Sequence, residues 1–189
     1  MKVLIAIVKG LLRLLFRIKI EGKENIPSEG ACIVCLNHIS LFDPLVAFCF
    51  LPRTIRFIGK QELMKIPVIA QILKAMRVIP VKRGTGDIAA VKASLQTLKD
   101  GDVLGIFPTG TREKKNPDAE PKAGVALMAT KSQAPVIPIH IITKYRIFSK
   151  VRLVVGSPVN LDEYYGRKLS QEELQSVADK IYGSIKSLG

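Results

Sequence analysis

The feature that most constrains this chain is a repeated alternation. Short apolar runs of strand length recur at 17–21, 31–36, 55–58, 77–81, 103–107, 135–141 and 151–155. Helical patterns lie between or beyond them at 44–50, 61–75, 87–99, 122–132 and 170–187. Strands that alternate with helices bury their faces best as one sheet with helices laid on it. The expected fold is therefore α/β, with a mixed, largely parallel sheet of about seven strands flanked by helices. In such sheets, sites gather in the loops that follow the carboxyl ends of strands.

The first 18 residues stand apart from that pattern, giving an expected division into a helix over 1–18 and a domain over 19–189. No apolar run here approaches the ~20 residues needed to cross a bilayer. Nor does a small-residue cleavage site follow, since Arg17-Ile18-Lys19 comes directly after. At roughly 100° per residue, Lys2, Lys9 and Arg13 fall within about 40° of one another, with Arg17 close by. Leu, Ile, Val and Phe cover the rest. This pattern fits a basic amphipathic helix lying in a membrane interface, cations toward lipid phosphates. A core helix with its solvated face outward is the competing reading.

Charge supports an anionic partner. Lys and Arg number 29 against 16 Asp and Glu, a net charge of +13, while 48% of residues are hydrophobic. That combination fits a folded domain with a basic surface rather than a disordered chain. Single-strand nucleic-acid binders interleave aromatics with basic residues to stack bases. Here aromatics are 6% and there is no Trp, so nucleic acid is not expected as a partner. Cys32-x-x-Cys35 resembles a redox or zinc pair, but positions three apart in a strand point to opposite faces. No second Cys/His pair completes a zinc site. Cys32, Cys35 and Cys49 therefore read as small core hydrophobes, and no metal is expected.

The strand at 31–36 leads into Asn37-His38-Ile39-Ser40-Leu41-Phe42-Asp43 and then Pro44. Asp at an N-cap with Pro at the first helical position is a helix start signal. By that account Asp43 caps and His38 is a turn residue. Taken together, the two residues offer more. A turn could bring the carboxylate to the imidazole, fix its tautomer and leave the other ring nitrogen to accept a proton from a hydroxyl. The chain's other histidine, His140, sits in an apolar strand and reads as structural.

A second motif follows the strand at 103–107, namely Phe107-Pro108-Thr109-Gly110-Thr111-Arg112. Gly110 permits a tight turn with exposed amides, and Arg112 offers a planar fork matched to phosphate oxygens. The hydroxyls of Thr109 and Thr111 add donors. An ordinary strand-end turn with a solvated Arg would look the same in isolation.

In this order, His38-x4-Asp43 and then Phe107–Arg112 resemble the glycerolipid acyltransferases. Lys60-Gln61-Glu62-Leu63 with Pro67, Arg77–Arg83 and Ala134–Ile139 resemble that family's intermediate and late motifs. The likeness runs from about residue 20 to about 160. It implies transfer of a fatty acyl group from a thioester, acyl-CoA or acyl carrier protein, to the sn-2 hydroxyl of lysophosphatidic acid, giving phosphatidic acid. It also implies His38 as general base, Asp43 as its orienting group, and Lys60, Arg83 and Arg112 around the acceptor phosphate. Asn37, Gly110 and Thr111 match further motif positions. No cofactor is implied, and the expected place of work is the cytoplasmic face of the cell membrane, peripheral or monotopic. The family usually has Glu where this chain has Thr109, which points to an altered acceptor site. Acylation of another lysolipid, or anionic-lipid binding without catalysis, are the alternatives.

Overall fold

The computed structural model of the chain describes residues 2–82 and 87–189. The elements run α1 (Lys2–Leu15), β1 (Arg17–Glu21), β2 (Cys32–Leu36), α2 (Asp43–Phe50), β3 (Ile55–Lys60), α3 (Pro67–Ala75) and β4 (Ile79–Val81). They continue with α4 (Ile88–Lys99), β5 (Val103–Ile106), α5 (Gly124–Ser132), β6 (Val136–Ile142), β7 (Lys150–Val155) and α6 (Gln171–Lys186). The seven strands form one sheet in the order β1-β7-β6-β2-β5-β3-β4. β6, β2, β5, β3 and β4 are mutually parallel, whereas β7 lies antiparallel to β6 and carries β1 parallel to itself. The mixed, largely parallel sheet is as expected.

Two apolar cores sit on the two faces of the sheet. One gathers Leu12 of α1, Val46 and Ala47 of α2, and Phe16 and Met76 just past the ends of α1 and α3, over β2, β3, β6 and β7. The other gathers Ala90, Leu98, Ala126, Ala129, Val177 and Ile181, from α4, α5 and α6. β2 lies at the centre with all five residues buried. Its near-continuous apolar run is what a parallel strand covered on both faces requires. Cys32 enters the first core and Cys35 the second, as their spacing demands. All three cysteines are unpaired and buried, and desolvation pushes the Cys35 thiol far up.

Two expected elements differ in the structure. The helix over 61–75 is broken into a 3-10 turn, Gln61–Lys65, and α3, because Ile66 precedes Pro67 and is extended (φ −92°, ψ 112°). The helix over 1–18 ends at Leu15, and Arg17 already belongs to β1. α1 itself packs across α2 and α3 through Ile5, Val8, Leu12 and Leu15.

Because β2, β3, β5 and β6 are parallel, their carboxyl ends share one edge. That edge presents Asn37 and His38 after β2, Lys60 ending β3, Phe107 after β5, and the 143–149 loop after β6.

Candidate active site

Asn37 fixes where β2 ends. Its side-chain amide donates to the Ile141 carbonyl at 3.1 Å, and its Oδ1 accepts the Ile141 N–H at 2.7 Å. This buried pair continues the β2–β6 ladder through a side chain and sets the starting point of the turn that follows.

Within that turn, Asp43 is completely buried and four donors converge on its carboxylate. Oδ2 accepts the N–H groups of Ile39 and Ser40, each at 2.7 Å, and lies 2.8 Å from His38 Nδ1. Oδ1 accepts the Tyr145 hydroxyl at 2.8 Å. The expected N-cap role does not hold. Phe42 occupies the cap position, Asp43 lies inside the first turn, and no side chain caps α2. The carboxylate points back to the turn because four donors there satisfy a buried, acceptor-only group better than one helix amide would.

His38 is oriented on two sides. Asp43 holds Nδ1, and the ring stacks on Phe107 with centroids 4.1 Å apart and planes at 24°. Phe107 in turn stacks on Phe57 at 5.4 Å. Phe57 lies over Gly105, where a Cβ would come within 2.5 Å of its ring carbons. A glycine in β5 thus makes room for the stack that supports the imidazole. Nε2 remains as the ring nitrogen available for proton transfer. The His38 carbonyl accepts the Glu113 N–H at 2.8 Å, which ties this corner to the loop after β5.

In the loop after β5, Gly110 adopts φ 65°, as a tight turn requires. Its own amide is not exposed as expected, since it closes the turn on the Phe107 carbonyl at 2.9 Å. Thr109 is 4% exposed, and its hydroxyl donates to the Thr111 carbonyl at 2.9 Å. It braces the loop from inside rather than facing an acceptor. Thr111 and Arg112 are half-buried at the rim. Lys60 ends β3, three residues past the last β3–β5 pair, Phe57 with Gly105, on the sheet edge that also carries the loop after β5. Arg83, expected beside the phosphate, lies outside the described residues.

Residues 17–142 match the model of the acyltransferase family. The chain belongs to the acyltransferase family. The 1-acyl-sn-glycerol-3-phosphate acyltransferase of Bacillus subtilis (strain 168) is 27% identical over 186 residues, covering 95% of this chain and 92% of that protein. The enzyme of the same name from Helicobacter pylori is 33% identical over 165 residues, 81% of this chain and 69% of the relative. A chloroplastic relative from Brassica napus is longer, and the chain spans 51% of it. The crystal structure of the 1-acyl-sn-glycerophosphate acyltransferase PlsC from Thermotoga maritima superposes with a TM-score of 0.67 at 25% identity, over 98% of this chain and 81% of that one.

Two residues at this corner were not anticipated by sequence reasoning. Tyr145 donates to Asp43 from a loop 102 positions away. Burial, and secondarily the Asp43 charge, push its phenol far above the ordinary range, so it stays protonated and serves as a donor. Its ring meets Phe16 edge-on at 5.3 Å and Phe42 at 5.7 Å. Lys122 lies along Gly110: a Cβ there would sit 3.5 Å from Lys122 Cε and 3.7 Å from Nζ. Its N–H also bonds the Pro108 carbonyl at 3.0 Å. No spacing in the sequence marks either residue. His140 is half-buried; burial lowers its pKa, Glu113 works against that and Lys186 adds to it.

Proposed function

We propose that the chain is a 1-acyl-sn-glycerol-3-phosphate acyltransferase, with His38 as the base that deprotonates the sn-2 hydroxyl. The observation that carries this reading is the buried Asp43 carboxylate holding His38 Nδ1 at 2.8 Å beside a cationic turn. The names of its relatives support the same acceptor. The acceptor hydroxyl attacks the thioester carbonyl as His38 Nε2 takes its proton, and Asp43 stabilises the resulting imidazolium. The tetrahedral intermediate then collapses, its C–S bond breaks, and the departing thiolate takes the proton from His38. The acyl group ends as an ester on the acceptor. Arg112, Lys122 and Lys60 supply positive charge for the phosphate, with Arg112 able to grip two oxygens at once. Asn37 positions the turn, and Gly110, Thr109 and Thr111 shape the loop. The donor is acyl-CoA or acyl carrier protein, both anionic and both suited to a basic surface.

The membrane reading of α1 belongs to the same proposal. Among the described residues no helix is long and apolar enough to cross a membrane. α1 nonetheless has an unusual division of faces. Ile5, Val8, Leu12 and Leu15 pack inward, while Val3, Ile7, Leu11 and Leu14 are exposed in a stripe on the outer side. Lys9 and Arg13 lie between these faces, over the Phe50 ring at 5.3 and 5.7 Å. Packing onto the core and lying on a membrane are therefore compatible, because each uses a different part of the apolar arc. An exposed apolar stripe edged by cations suits the interface of an anionic bilayer, at the cytoplasmic face where the phosphatidic acid would be released.

The decisive assay crosses both donor types with lysophosphatidate, lysolipids bearing larger head groups, and a monoacylglycerol without phosphate. Turnover of lysophosphatidate well above the others is expected. Equal turnover of the phosphate-free acceptor would remove the assigned role of the cationic turn, and no acyl transfer to any acceptor would sink the enzymatic reading.

A further inference from the structure

Between β6 and β7 the chain makes one ordered excursion, residues 143–149. The Tyr145 N–H bonds Thr143 Oγ1 at 3.1 Å, and the Ser149 N–H bonds the Arg146 carbonyl at 2.9 Å. The loop is fastened to the end of α1 by the Phe148 N–H on the Leu15 carbonyl at 2.7 Å and by the Arg17 N–H on the Ser149 carbonyl at 2.9 Å. Tyr145 and Phe148 have positive φ, 46° and 61°, a region that bulky side chains rarely adopt. Turns usually place Gly, Asn or Asp at such positions. Here the tip instead carries Ile147 and Phe148, 69% and 64% exposed. Lys144, Arg146 and Lys150 flank them, with no acidic residue between 143 and 153, and the next cation, Arg152, is held by Glu21 at 3.0 Å.

We propose that residues 143–149 form a second bilayer-contacting element, which inserts Ile147 and Phe148 among lipid acyl chains beside the outer stripe of α1 and sets Arg146 and Lys150 on lipid phosphates. The inference rests on the membrane reading of α1. Continuity supports it, because Phe148 is bonded to the residue after Leu14, the last member of that stripe. Charge selects the occupant: an apolar tip flanked along the chain by Lys144, Arg146 and Lys150 matches anionic head groups above hydrocarbon. The inner side of the same loop carries Tyr145, bonded to Asp43, so contact at the tip brings the His38 corner to the surface where an acceptor hydroxyl lies beneath its head group.

The test uses the full chain with Ile147→Ser/Phe148→Asn, Asn being, after glycine, the residue that best keeps a positive φ. Ile7→Ser/Leu11→Ser in α1 is the parallel variant. Flotation on vesicles of phosphatidylglycerol and phosphatidylcholine reads binding. Turnover is measured on a long-chain acceptor in those vesicles and on a short-chain acceptor dispersed as monomers. The loop variant is expected to lose about tenfold or more in vesicle partition, and to lose turnover of the vesicle-borne acceptor while retaining that of the monomeric one. Unchanged partition in the loop variant, with loss in the α1 variant, overturns the inference and leaves the reading of α1 standing. Retained partition in both variants overturns both. Equal loss of turnover on both acceptors also overturns the inference, since the loop would then act only through Asp43.

Discussion

The turn after β2 and the loop after β5 meet at His38, and they are held in contrasting ways. In the first, side chains are the structure: Asp43 is buried under four hydrogen bonds, and Asn37 splices one strand end to another. In the second, short local bonds hold the turn, Gly110 to Phe107 and Thr109 to Thr111, with Arg112 half-buried at its rim and the exposed Lys122 alongside Gly110. The contrast fits the two tasks proposed for them. Proton transfer demands hydrogen-bond reach between fixed atoms, which buried and fully satisfied groups provide. A phosphate must arrive hydrated, bind and leave, and solvated cations permit that exchange.

If that division is correct, removing the base is the largest blow to turnover and a small one to stability. His38→Ala should lower kcat by ~10²–10⁴ with little change in the acceptor KM. Asp43 keeps three of its four donors in that variant, so the thermal melt should shift little. Asp43→Asn should cut kcat and also destabilise, because an amide NH2 would face donors in a buried site, costing roughly 1–3 kcal/mol. Steady-state kinetics beside circular dichroism melts would separate these effects. Equal destabilisation by both substitutions would dissolve the distinction.

The rim should fail differently. Arg112→Ala is expected to raise the acceptor KM by about tenfold or more, the worth of a charge-assisted hydrogen bond, and to spare kcat. Lys122→Met should do the same more weakly, since its ammonium is exposed and screened. Both defects should shrink as salt is added to the wild-type reference. A kcat loss without a KM change in Arg112→Ala would move that residue from phosphate binding into the chemical step.

These contrasts also explain what the sequence made legible. His38 and Asp43 are five residues apart, so a single turn decides whether they meet, and local spacing suggests that they can. The strand set was equally legible, because β2 and β6 read as continuous apolar runs. Spacing was ambiguous where two local structures share one signature. Asp-Pro marks a helix start, yet Asp43 turns its carboxylate away from that helix. Thr109 sat where an acceptor contact was expected, but the direction of its side chain depends on the Thr111 carbonyl. Long-range partners leave no periodic trace. Tyr145 is 102 residues from Asp43, and β1 finds β7 at the far edge of the sheet, with Arg17 beside Lys150.

Tyr145 is the side chain through which the loop after β6 reaches Asp43 and, through it, His38. Tyr145→Phe keeps the ring against Phe16 and Phe42 and removes only the hydroxyl. The expected cost is about tenfold in kcat, the low end for a hydrogen bond to a charged group. The loss should fall on kcat and leave the acceptor KM in place, because the hydroxyl steadies the carboxylate that holds His38. A change in KM alone would make Tyr145 a packing residue.

The two histidines extend the same contrast to pH. His38 has Asp43, whereas His140 has a buried Nδ1 without a hydrogen-bond partner among the described residues. Burial holds the folded pKa of His140 below its ordinary value, with Glu113 opposing and Lys186 reinforcing the shift. The unfolded chain titrates this group near ~6.5. Between that value and the lower folded one, the unfolded state binds more protons, so stability falls as pH drops through this window. Below the folded pKa the loss is complete and no longer changes. His140→Gln cannot charge, and should flatten that part of a melting-temperature profile taken between neutral and mildly acidic pH. If the slope survives the substitution, another group sets it, and the unpartnered nitrogen of His140 contributes nothing to the acid sensitivity of the fold.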